Sequence, residues 1–169
     1  MMLRKTCNQD KMPLRRKRGT VVIGLGNPIL GDDIVGLVVA SELKRHLGGL
    51  VDVIELCSGG LVVAEAMLGY EKAIVIDALV EEGTKPGKIL RLTLDDIKTT
   101  RKRFIGFHDM DFVTSIELVK AIDGESFPDE VVIFGITIQE PRRYQEGLSE
   151  EVRAAVPKCV EMIKKECGY

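Results

Sequence analysis

The chain has 169 residues, of which 45% are hydrophobic and 30% charged, with a formal net charge of -2. Those values describe one soluble globular domain with no overall field for nucleic acid. A conventional membrane-spanning helix is excluded too, because no apolar run reaches about 18 residues.

Residues 1–18 are a local exception. Arg4, Lys5, Lys11, Arg15, Arg16, Lys17 and Arg18 stand there against one acid, Asp10. Like-charge blocks of this kind read as a solvated, flexible arm, leaving 19–169 as a single domain. No apolar stretch of about 7–15 residues follows the start, so a secretory leader is not expected. Cys7, Cys57, Cys159 and Cys167 are scattered without a C-x-x-C pair. They suit neither a zinc ribbon nor a disulfide framework, and a reducing cytoplasm is the expected setting. Cys57 is read as a buried structural thiol. Neither nucleic acid nor membrane is expected as a partner.

In chain order, Thr20–Gly24 reads as a fully apolar strand and leads into Gly24-Leu25-Gly26-Asn27-Pro28-Ile29-Leu30-Gly31-Asp32-Asp33. A dinucleotide loop at this position needs G-x-G-x-x-G. Ile29 stands where the third glycine belongs, Pro28 disturbs the turn, and two adjacent acids would repel a pyrophosphate. The loop suits a cation. Ile34–Leu47 follows with helical spacing (Val35, Val38, Val39, Leu43, Leu47), and Gly48-Gly49 supplies a stop. Val51–Leu56 is a second strand, Leu61–Leu68 a short helix and Lys72–Leu79 a third, buried strand. This β-α-β-α-β order implies right-handed crossovers and a parallel sheet. The turn-rich segment from Glu81 to Pro86 is too short for a crossover helix, so Gly87–Leu94 is expected as an antiparallel edge strand. A polar, basic connection from Lys98 to Phe107 leads to a helix over Phe112–Ile122. Glu130–Ile138 forms the last strand and Ser149–Glu166 the closing helix. The expected fold is α/β: a three-layer α/β/α sandwich on a five-stranded, mostly parallel sheet with one antiparallel edge strand.

With strands one and three as neighbours, Asp77 approaches Asp32 and Asp33 at the carboxyl edge of the sheet. Crowded carboxylates are unfavourable without a cation or a shared proton. One of the two adjacent aspartates is expected to cap the first helix while the other points at the ligand. Of the two histidines, His46 sits on a polar helix face and reads as structural. His108 precedes a helix and could complete an Asp/Asp/His ligand set with open positions. No H-E-x-x-H or G-x-S-x-G occurs.

Together these residues resemble the hydrogenase maturation proteases, which trim the large subunit of nickel-iron hydrogenases. The resemblance is carried by Gly24 to Asp33 with Gly36, by Ser58-Gly59-Gly60, Ile76-Asp77-Ala78 and His108, and by Gly135-Ile136 leading to Gln139-Glu140-Pro141. The chain departs from the family at Ile34, where many relatives have glycine, and in its long basic arm. The resemblance implies Asp33, Asp77 and His108 as a catalytic and metal-site triad. It also implies nickel supplied by the substrate, for which cadmium or zinc could substitute in vitro. The implied reaction removes a C-terminal extension from a nickel-loaded large-subunit precursor. Asn27, Asp32, Ser58, Gly59 and Gly60 are assigned to substrate contact. Two other readings stay open: a peptidyl-tRNA hydrolase, which shares the Gly24-Leu25-Gly26-Asn27-Pro28 opening, and a non-catalytic nickel-sensing hydrogenase chaperone.

Overall fold

A computed structural model describes residues 17–99, 103–105, 112–141 and 147–169. Most of the basic arm, Cys7 and His108 lie outside the described residues. The strands are β1 (Arg18–Leu25), β2 (Asp52–Leu56), β3 (Tyr70–Val80), β4 (Ile89–Thr93), β5 (Arg103–Phe104) and β6 (Glu130–Thr137). The helices are α1 (Val35–Leu47), α2 (Gly60–Ala66), α3 (Leu94–Thr99), α4 (Phe112–Asp123) and α5 (Glu150–Glu166).

The sheet runs β2-β1-β3-β6-β4, with β5 on the end of β3. β1 pairs in parallel with β2 and β3, β3 pairs in parallel with β6, and β4 runs antiparallel to β6. The parallel core and the antiparallel edge strand agree with the sequence reading. Two short elements are additional. α3 takes Leu94, expected to be strand, and β5 adds a two-residue antiparallel pairing that makes the sheet six-stranded. A strand this short lies below any periodicity signal.

Alternation along the strands explains the two helical layers, because successive side chains leave opposite faces. Val22, Ile74, Ile76, Val132 and Phe134 pack with Val35, Val39 and Leu43 of α1 and Val152, Val156 and Ile163 of α5. Val21, Ile23, Ala73, Val75 and Ile133 pack with Val63 and Ala64 of α2 and Phe112, Ile116 and Val119 of α4. Both faces are covered, so β1, β3 and β6 read as continuous apolar runs.

The amino edge of the sheet is tied by charge. Glu166, at the end of α5, accepts hydrogen bonds from Arg91 Nε at 2.7 Å, Arg91 Nη2 at 2.9 Å and Lys72 Nζ at 2.6 Å. These partners, Arg91 first, hold its carboxyl well down, at about 2, against the opposing effect of burial. The folded protein therefore binds fewer protons at Glu166 than the unfolded chain. The stabilisation is complete above the ordinary carboxylate range near 4.5 and is lost as pH falls toward 2. Glu166→Gln should cost about 2–3 kcal/mol at neutral pH, and its deficit relative to the parent should close between about pH 5 and pH 2. Urea unfolding across that range checks it; a deficit independent of pH would contradict the assignment.

Candidate active site

The site begins with glycines that let α1 sit directly on the sheet. A Cβ at Gly36 would collide with the carbonyl oxygens of Leu25 and Ile76, and one at Gly24 with the Gly36 carbonyl and the Ala40 side chain. Gly26 likewise lies against the Asp33 carbonyl. The chain must therefore reverse within a few residues after β1. Asn27 starts the turn: its Oδ1 accepts the Ile29 N–H at 3.1 Å and its carbonyl accepts the Leu30 N–H at 3.2 Å. Gly31 takes φ of 59°, the left-handed region open to glycine at little cost. A single 3₁₀ turn over Gly31–Ile34 then feeds α1.

This turn places Asp33 against the sheet, 2% exposed. Gly36, three residues on, touches the Ile76 carbonyl, and Ile76 immediately precedes Asp77. Asp77 is 0% exposed and pairs across the sheet with Gly135 of β6. It shares the face of Val75 and Leu79, toward the α2–α4 layer, and its Oδ1 accepts the Ala78 N–H at 2.8 Å. Asp33, in the turn after β1, and Asp77, toward the end of β3, are thus both buried at the carboxyl edge of the sheet. His108 lies outside the described residues, but both flanks of its segment are fixed. β5 pairs with Leu79 and Val80, just past Asp77, and the Ile105 N–H bonds the Ala78 carbonyl at 3.0 Å. Phe112, where α4 begins, is buried in the same cluster as Leu79.

The residues expected at the substrate divide. Leu25 pairs with Leu56, so Ser58, Gly59 and Gly60 emerge beside the acidic loop at the same edge. Ser58 is exposed there, and Gly59, not Ser58, is the N-cap of α2. Asn27 spends its side-chain oxygen within its own turn. Asp32 departs from the expectation of a helix cap. The first helical turns have Leu30 and Ile34 at their N-cap positions, without a side-chain cap, so neither aspartate caps there. Asp32 instead accepts the Ser149 N–H at 2.6 Å and the Ser149 hydroxyl at 2.8 Å, at the start of α5. Cys57 also departs from the reading as a buried thiol: it is exposed just beyond β2. Burial instead falls on Cys159, whose thiol is pushed up to about 12 by desolvation.

Beside the loop, a cleft of about 230 Å³ is lined by Leu30, Asp32, Pro86, Gln139, Glu140 and Ser149, among others. Arg103 of β5 pairs with Glu140 on this side. The link is absent from the sequence pattern, because Arg103 sits in a basic segment without periodicity and Glu140 lies 37 residues further on.

The model of the hydrogenase maturation protease family matches residues 37–166, a span that takes in Asp77 and starts just past the acidic loop. Protein FrxA of Pyrococcus furiosus is 35% identical over 135 residues, covering 79% of this chain and 94% of that protein. The chain belongs to the hydrogenase maturation protease family. The hydrogenase 2 maturation protease of Escherichia coli is 25% identical over 146 residues, 85% of this chain and 87% of that one. The NiFe hydrogenase maturation protease HybD from Thermococcus kodakarensis has the same fold, with a TM-score of 0.71 at 27% identity. That similarity covers 88% of this chain and 98% of HybD. This hydrogenase maturation protease is therefore a peptidase, which sets aside the peptidyl-tRNA hydrolase reading. No helix among its described residues is long and apolar enough to cross a membrane.

Because Gly36 seats α1 on the sheet, Gly36→Ala should destabilise the protease by about 1–3 kcal/mol, the usual range for an overpacked methyl. Urea denaturation measures this; an unchanged midpoint would mean that α1 shifts freely and does not fix the acids.

Proposed function

We propose that this protease removes the C-terminal extension of a nickel-iron hydrogenase large-subunit precursor and uses the nickel already held by that precursor as its recognition element. The observation that carries the reading is the burial of Asp33 and Asp77 at one edge of the sheet. Carboxylate oxygens are hard donors suited to a divalent ion. A metal brought by the substrate would meet them at this edge on docking. His108, from the segment flanked by β5 and Phe112, is the third ligand in this reading.

Two carboxylates and one imidazole are harder donors than the thiolates expected to hold nickel in the precursor. The protease would touch the ion without extracting it. Docking on the metal holds the scissile peptide near the same crevice and so turns recognition into proximity. The segment at exposed Ser58 and half-buried Gly59, beside the acidic loop, leaves room for an extended chain. Hydrolysis then consumes one water, its hydroxyl bonding to the scissile carbonyl carbon and its proton leaving with the new amine. Cys57, Cys159 and Cys167 are free thiols, which accords with a reducing, cytoplasmic setting.

Nickel-loaded and nickel-free precursor, incubated with the protease and weighed by mass spectrometry, test the reading. A shortened product is expected only with nickel. Asp33→Asn, Asp77→Asn and His108→Ala should each lower the cleavage rate by at least about 100-fold while thermal melting stays cooperative. Equal cleavage without nickel would contradict the recognition mechanism. Binding without shortening would favour a chaperone of the precursor.

A further inference from the structure

Asp32 lies next to Asp33, yet its carboxylate turns away to the far side of the loop. Its two oxygens accept the backbone N–H and the hydroxyl of Ser149, 117 residues along the chain, at 2.6 and 2.8 Å. Ser149 is the N-cap of α5, and its own side chain makes no cap within that helix. The carbonyl of Ser149 accepts the Arg153 N–H at 2.9 Å, so the residue is fixed by the helix it begins. That end of α5 is firmly seated. Val152 is fully buried, and the Glu151 carbonyl abuts Gly87, where a Cβ could not fit. The loop carrying Asp32 is held differently: Pro28 and Ile29 are exposed, and its backbone bonds run within its own turn, Leu30 to Asn27 and Asp33 to Leu30. A negative carboxylate at the start of α5 also meets the positive end of a 17-residue helix.

We propose that Asp32 is a positioning residue: clamped to Ser149, it fixes the 3₁₀ turn that holds Asp33 in the active site. The activity half of the test rests on the function proposed above, whereas the clamp itself does not. Nothing in this arrangement needs Asp32 to touch the substrate.

Amide hydrogen exchange reads the clamp without activity. In Asp32→Ala, the amides of residues 29–34 should exchange at least about tenfold faster than in the parent, with those of β1 and β3 unchanged. Unchanged exchange in that turn overturns the proposal. Kinetics on nickel-loaded precursor then read its consequence. Asp32→Ala should lower kcat at least about tenfold with KM within about threefold, because a misplaced group damages the chemical step more than binding. Ser149→Ala, which keeps the backbone donor, should lose less, and Ser149→Thr should restore the parent rate. The double variant should be no slower than Asp32→Ala, as for two residues acting through one contact. A raised KM with intact kcat would make Asp32 a substrate contact, and additive losses would break the pairing; either result overturns the proposal. If the parent protein shortens no precursor, the functional reading fails alone, and the exchange data still decide the clamp.

Discussion

The close approach of α1 to the backbones of β1 and β3 governs this molecule. Where most α/β layers meet through side chains, here Gly24 and Gly36 remove them, and helix backbone rests on strand backbone. The helix start is thereby drawn to the carboxyl edge, and the turn before it has room for little besides Gly31, Asp32 and Asp33. One carboxylate, Asp33, is buried at the same edge as Asp77, and its neighbour Asp32 bonds Ser149. Packing thus decides where charge sits. In the proposed mechanism, the carboxylates placed there are oxygen donors for a metal carried by the substrate.

The ion-pair network and the two buried acids occupy opposite edges. At the amino edge, Lys72, Arg91 and Glu166 join β3, β4 and the end of α5 in a satisfied ion-pair network. At the carboxyl edge, where ligands bind in open parallel sheets, Asp33 in its 3₁₀ turn and Asp77 in β3 are buried. α5 connects the two. Its last turn is anchored through Glu166 and its first through Ser149, so one rigid helix braces both the fold and the acidic turn.

The layer order, the parallel core and the antiparallel edge strand were legible in the sequence because they follow from local signals: unbroken apolar strands, helical spacing and a turn too short for a crossover. The acids at the carboxyl edge were legible for the same reason, since strand order alone brings Asp77 beside the loop after β1. What escaped was specified by distant partners. A serine before Glu150-Glu151 announces a helix start, but nothing local says that its partner is Asp32 rather than its own first turn. β5 consists of two residues held by pairing with β3, and the Arg103–Glu140 pair joins that short strand to the segment after β6. Cys57 was misread because burial statistics for cysteine describe cores, and this one lies past the end of an edge strand.

Crystals soaked in a cadmium salt and measured at an anomalous wavelength test most directly whether these buried acids form one cation site. The account predicts a single strong peak at coordination distance from carboxylate oxygens of both Asp33 and Asp77, with the imidazole of His108 on the same ion. A peak bound only elsewhere, or ions that contact one of the two aspartates and never both, would contradict it.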